Sequence, residues 1–123
     1  MFTKLRSATI LVDDQDKALD FYVDVLGFER RIDYDMGPGF RFLTIGIPGD
    51  DREIVLGTES MNGTESIKNS LAFIVDDMDA TYAELTAQGV TFRQEPEVFE
   101  WGGKGTWLID PWDNALFLTS DPT

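Results

Sequence analysis

The ten residues Ser7-Ala8-Thr9-Ile10-Leu11-Val12-Asp13-Asp14-Gln15-Asp16 return 63 positions later as Ser70-Leu71-Ala72-Phe73-Ile74-Val75-Asp76-Asp77-Met78-Asp79. An offset of about half the 123-residue chain makes its two halves copies of one supersecondary unit. Each copy begins as a strand and passes through Val-Asp-Asp-x-Asp into an amphipathic helix that a glycine stops. In the first, Ala18, Leu19, Tyr22, Val25 and Leu26 fall at helical spacing before Gly27; in the second, Met78, Tyr82 and Leu85 do so before Gly89. Asp14 and Asp77 are placed as N-caps, whose carboxylates accept the orphan amides of the first turn. Asp16 and Asp79 suit the positive end of the helix dipole.

Three strand-like runs follow each helix: Phe28–Tyr34, Arg41–Ile47 and Glu53–Gly57, then Val90–Gln94, Gly105–Ile109 and Ala115–Thr119. Turn signals at Gly37-Pro38-Gly39, Pro48 to Asp51, Gly102-Gly103 and Pro111 to Asn114 separate them. The expected fold class is therefore α+β, two tandem βαβββ modules over 1–58 and 70–123, joined by a polar linker over 59–69. One helix covers only one face of a four-stranded sheet. The other face needs a partner, so the two modules are expected to curl into one mixed-sheet cup with the helices outside.

Composition narrows the chemistry. Hydrophobic residues make up 42% and aromatics 12%, enough for a packed core. No apolar run reaches the ~20 residues of a membrane span and no signal core follows Lys4 and Arg6, so a cytoplasmic protein is expected. Twenty-three acidic against ten basic residues leave a net charge of −13, which repels nucleic acid and anionic lipid and attracts cations. Cysteine and histidine are both absent. There is then no thiolate, no disulfide, and neither the usual base near neutral pH nor the commonest transition-metal ligand.

Ala18-Leu19-Asp20-Phe21-Tyr22 with Leu26-Gly27-Phe28 resembles the A-x-x-F-Y … L-G-F helix of the vicinal-oxygen-chelate superfamily, the glyoxalase, bleomycin-resistance and dioxygenase type. Asp110-Pro111-Trp112-Asp113-Asn114 is similar to its D-P-x-G-N turn, with Asp113 where glycine is usual. The resemblance spans almost the whole chain and implies the cup fold and a homodimer. It also implies one of several activities: glyoxalase, extradiol dioxygenase, epimerase, fosfomycin-resistance transferase, or sequestration of a drug. Fold does not choose among them.

In metal-using members, four inward positions of the cup hold His, Glu or Gln. By resemblance these fall here on Ser7 and Ser70, each seven residues before a helix-start aspartate, on Phe117, seven after Asp110, and on its repeat mate Val55. Two hydroxyls, an isopropyl and a phenyl do not coordinate a transition ion, so neither a metal nor a cofactor is expected. Glu53 shares a strand face with Val55 and adds one carboxylate. The Asp13-Asp14 and Asp76-Asp77 pairs are explained by capping and lack the calcium-loop pattern.

Strand alternation places Ser7, Thr9, Leu11, Glu53, Val55, Ser70, Ala72, Ile74, Ala115, Phe117 and Thr119 on the inner faces. That mainly apolar set suits an organic ligand held by area and a few hydrogen bonds; a closed second core is the plainer alternative. Trp101 and Trp107, flanking Gly102-Gly103-Lys104-Gly105, are either hairpin anchors or a wall that stacks a ligand. Arg41 is set to pair Glu53, a ligand carboxylate or a surface acid. Two functions follow. One is metal-free binding, with sequestration, of a small hydrophobic or cationic molecule by Ser7, Thr9, Arg41, Glu53, Val55, Ser70, Ala72, Trp101, Trp107 and Phe117. The other is a glyoxalase-, epimerase- or dioxygenase-like enzyme with Glu53 as base or metal ligand, and Tyr22, Tyr34 or Tyr82 as acid.

Overall fold

A computed structural model describes residues 1–58, 70–100 and 102–120. The chain divides into two compact units, Met1–Ile67 and Lys68–Thr123. The expected linker over 59–69 and Trp101 lie outside the described residues. Among those described, no helix is long and apolar enough to cross a membrane.

Unit one runs β1 (Ser7–Leu11), α1 (Gln15–Leu19, extended by a wider π-helical stretch over Asp20–Val25), β2 (Glu29–Asp35), β3 (Arg41–Gly46) and β4 (Glu53–Gly57). Its sheet has the order β1-β4-β3-β2, with β1 and β4 parallel and the other pairs antiparallel. Asp14 is extended and its carboxylate takes the Lys17 amide at 3.0 Å, as capping requires. The helix is not uniform: the Leu26 amide reaches five residues back to the Phe21 carbonyl at 3.0 Å. Gly27 then leaves at φ 85°, the left-handed exit that glycine adopts without strain. Ala18 and Tyr22 from this helix, with Ile10, Leu43, Ile45, Ile54 and Leu56 from the strands, form a core in which Ile54 at 8% is the most exposed member.

Unit two runs β5 (Ser70–Ile74), α2 (Met78–Ala87), β6 (Thr91–Phe92), β7 (Glu97–Val98), β8 (Lys104–Ile109) and β9 (Ala115–Ser120). The order is β5-β9-β8-β6, with β7 also on β8, so five strands replace the four expected. The run read as Val90–Gln94 keeps only two strand residues. Pro96, with no amide to donate, falls where the edge is interrupted before β7 resumes it. Asp77 caps α2 through the Ala80 amide at 3.0 Å. Met78, Leu85, Val90, Leu108, Leu116 and Leu118 are buried.

The repeat is visible in a detail that periodicity does not show. Arg41 Nη1 meets Asp16 at 2.8 Å, and Lys104 Nζ meets Asp79 at 2.8 Å, each across a separation of 25 residues. In both units the first residue of the strand that continues the sheet is tied to the helix start.

Candidate functional site

Strand register fixes which side chains share a face. In unit one Ser7 lies opposite Glu53, Thr9 opposite Val55, and Val55 opposite Thr44. This face lies opposite the one carrying Ile10, Ile54 and Ile45, so Ser7, Thr9, Glu53, Val55 and Thr44 form a block away from the helix. The Thr44 hydroxyl donates to Glu53 Oε1 at 2.8 Å and accepts the Ile32 amide at 3.0 Å. Thr44, almost fully buried, thus fixes the half-buried Glu53 carboxylate from below. The remaining lone pairs of Glu53 leave it an acceptor for a ligand donor.

In unit two Ser70 lies opposite Ala115, Ala72 opposite Phe117, and Phe117 opposite Trp107. The Arg93 amide donates to the Trp107 carbonyl at 2.9 Å, continuing the row to Ala72–Phe117–Trp107–Arg93. Trp107 and Phe117 have ring centroids 4.9 Å apart, and Phe99 lies 5.9 Å from Phe117, all half-buried. The Arg93 guanidinium carbon lies 5.3 Å from the Trp107 ring centroid. Gly105 lets the aromatic rings lie close on the sheet: a Cβ there meets Phe117 Cζ at 3.0 Å and Phe99 Cε2 at 3.2 Å.

The two units therefore fill equivalent places differently. Thr44 and Val55 of the first stand where the second has Trp107 and Phe117. One face is small and polar, the other aromatic.

Arg41 does not join either face. It lies on the helix side with Leu43 and Ile45, and its partners are Asp33 (2.8 Å from both Nε and Nη2) and Asp16, not Glu53. The alternation of β3 is the cause: Arg41 is an odd number of residues from Thr44 and so emerges on the other side. The Arg41 hydrogen bonds hold the Asp33 carboxyl below its ordinary range, and the same bonds raise the guanidinium further above its own. Around this pair opens a shallow cavity of about 680 Å³, lined by Gln15, Asp33, Asp35, Phe40, Arg41 and Thr58 among others. The Gln15 amide is engaged by the carbonyls of Arg41 and Leu56, at 3.0 and 2.8 Å. Its best donors thus already serve the fold. Tyr22 is fully buried against Phe21 and Phe28 and Tyr82 packs on Phe92, whereas Tyr34 is 63% exposed.

The residues at the family's metal positions do not fit a metal. Val55 and Phe117 offer no lone pair, Ser7 offers a neutral hydroxyl, and among the described residues no three His, Cys, Asp or Glu side chains gather into a ligand set.

Sequence reasoning missed Thr44, Arg93 and Phe99. Thr44 and Arg93 are recoverable from alternation once the register is known. Phe99 lies in an irregular stretch with no periodic signal.

Comparison with known proteins agrees with this architecture. The chain superposes on a crystal structure of a superfamily member from Sphaerobacter thermophilus DSM 20745, with TM-score 0.90, 40% identity and 98% of each chain covered. It superposes on TnmS3, an antibiotic binding protein from Streptomyces sp. CB03234, with TM-score 0.84, 29% identity, and 99% and 98% covered. In sequence it is 32% identical over 103 residues to the uncharacterised Bacillus subtilis (strain 168) protein YetH, covering 83% of this chain and 86% of that one. The model of the Glyoxalase/Bleomycin resistance protein/Dioxygenase superfamily matches residues 4–118, and the chain belongs to that superfamily.

Proposed function

We infer that the protein binds a small, largely apolar organic molecule without a metal and holds it in sequestered form. The observation that carries this is the half-buried cluster of Phe99, Trp107 and Phe117 on the sheet face that the helix leaves uncovered. Aromatic rings at that position supply contact area for a planar guest, and each stacked pair adds about 0.5–1.5 kcal/mol beyond burial. Unit one, taken by itself, has on its corresponding face Ser7, Thr9 and the Glu53–Thr44 pair, groups that offer hydrogen bonds to a polar ligand. The likeness to an antibiotic binding protein supports the same class of ligand.

A thermal-shift screen against aromatic antibiotics, followed by titration calorimetry, tests this. A true ligand at about 100 times its Kd adds ~2.7 kcal/mol of stability, a shift of several degrees. The gain should vanish in Trp107→Ala. Silence across a broad panel, or stoichiometric zinc, nickel, manganese or iron in the purified protein, would overturn it.

A further inference from the structure

We propose that Arg93 makes the aromatic face selective for guests that carry an anionic group, a carboxylate or an ionised phenol, beside a planar ring. This rests on the reading of that face as a binding surface and names what it prefers.

The net charge of −13 alone suggests a cationic guest, and Trp107 is the best ring for holding one. That seat is taken. The Arg93 guanidinium lies 5.3 Å from the Trp107 centroid, so a ligand cation there meets a like charge instead of an open π-face. Arg93 also stands apart from the other arginines engaged in ion pairs. Arg30 and Arg41 meet Asp33, Arg31 meets Glu29, and Arg52 meets Asp50. Arg93 has no such pair among the described residues; Glu97 of β7 lies opposite Gly105, two residues along β8 from Trp107. A guanidinium stacked on an indole is held with its donor edge free, and that edge matches a carboxylate bidentately. The row Ala72–Phe117–Trp107–Arg93 thus reads as area followed by a positive end. Repulsion from the acidic surface acts over longer range and is damped within about 8 Å at physiological salt, so the local group decides.

The test uses three probes of one shape and different charge: 2-naphthoate, 2-naphthylmethanol and 2-naphthylmethylammonium. Each is titrated into the full ¹⁵N-labelled chain while the indole N–H resonance of Trp107, assigned with Trp107→Phe, is followed. The expected result is naphthoate binding about ten-fold tighter than the alcohol, and the ammonium weakest. In Arg93→Gln the three affinities should converge, and Arg93→Lys should restore part of the preference. Equal binding of all three by the native chain, a preference for the ammonium, or an unchanged preference in Arg93→Gln would overturn the role of Arg93 and leave the binding face standing. If none of the probes moves the Trp107 resonance at millimolar concentration, the binding face and its selectivity fall together.

Discussion

Replacing Gly105 by alanine probes how tightly the aromatic cluster is seated on its sheet. The added Cβ lies 2.6 Å from the Leu118 carbonyl oxygen, 3.0 Å from Phe117 Cζ and 3.2 Å from Phe99 Cε2. The nearest atom is backbone, held in the β8–β9 ladder where Thr106 pairs Leu118 and Gly105 pairs Thr119. It cannot swing aside as a side chain can. Overpacking of this kind costs about 1–3 kcal/mol. Losing glycine's freedom in the unfolded chain returns about 0.4–1 kcal/mol. The clash wins, and a net loss of about 1–2 kcal/mol is expected, roughly 4–8 °C in Tm at this chain length. Gly46→Ala is the control, because there the three atoms nearest the new methyl all belong to the far end of the Arg31 side chain. That guanidinium donates to the carbonyls of Ile47, Asp50 and Arg52, so the cost is the loss of those bonds. In an Arg31→Ala background Gly46→Ala should then cost clearly less than in the native chain. Urea unfolding gives the energies, and near-UV circular dichroism reports the aromatic packing. A Gly105→Ala protein within about 0.3 kcal/mol of the native one, its near-UV spectrum unchanged, would refute the reasoning.

Two further outcomes are expected. The Asp33 carboxyl lies below its ordinary range, so its pairing with Arg41 stabilises above about pH 4 and fades as pH falls through the lowered value. A double-mutant cycle with Asp33→Asn and Arg41→Met should read a coupling of about 1 kcal/mol at pH 7 that declines as the pH falls below about 4, and a coupling independent of pH over that range would contradict it. Asp113 is the sole non-glycine described residue at positive φ, 65°, where the family uses glycine. Asp113→Gly should stay within about 1 kcal/mol of the native chain and Asp113→Val should lose about 1–2 kcal/mol, both read by urea unfolding; a tolerated valine would show the turn to be unstrained.

Much of the architecture lies in the sequence because it rests on local rules. The caps at Asp14 and Asp77, the stop at Gly27, and strands β3, β4, β8 and β9 each follow from a few neighbouring residues whose backbone preferences agree with the fold. What was illegible depends on pairing. The interruption between β6 and β7 is a property of the edge they share with β8, and the π-helical turn after Leu19 leaves no trace in the spacing of apolar residues. Arg41 had three open partners in the sequence, Glu53, a ligand carboxylate or a surface acid, because the position of a strand along the chain does not say which of its faces meets the helix; the structure selects the surface acids Asp33 and Asp16. The aromatic cluster was half legible: Trp107 and Phe117 alternate onto one face, whereas Phe99 arrives from a loop.

The repeat offers an internal comparison that separates scaffold from site. Where both units keep the same arrangement, the shared feature serves the fold: the capping aspartates, and the Asp16–Arg41 and Asp79–Lys104 ties. Lysine replaces arginine in the second tie because a single carboxylate needs only a positive end, while Arg41 must also bridge bidentately to Asp33. Where the units part company, structure alone does not require the residue. Glu53 of the first corresponds to Ala115 of the second, and the Thr44–Val55 pair corresponds to Trp107–Phe117. All of these differences fall on the sheet faces away from the helices, and none creates a metal ligand set among the described residues. The duplicated scaffold thus carries two different surfaces, one in the first unit that offers hydrogen bonds and one in the second that offers rings and a guanidinium.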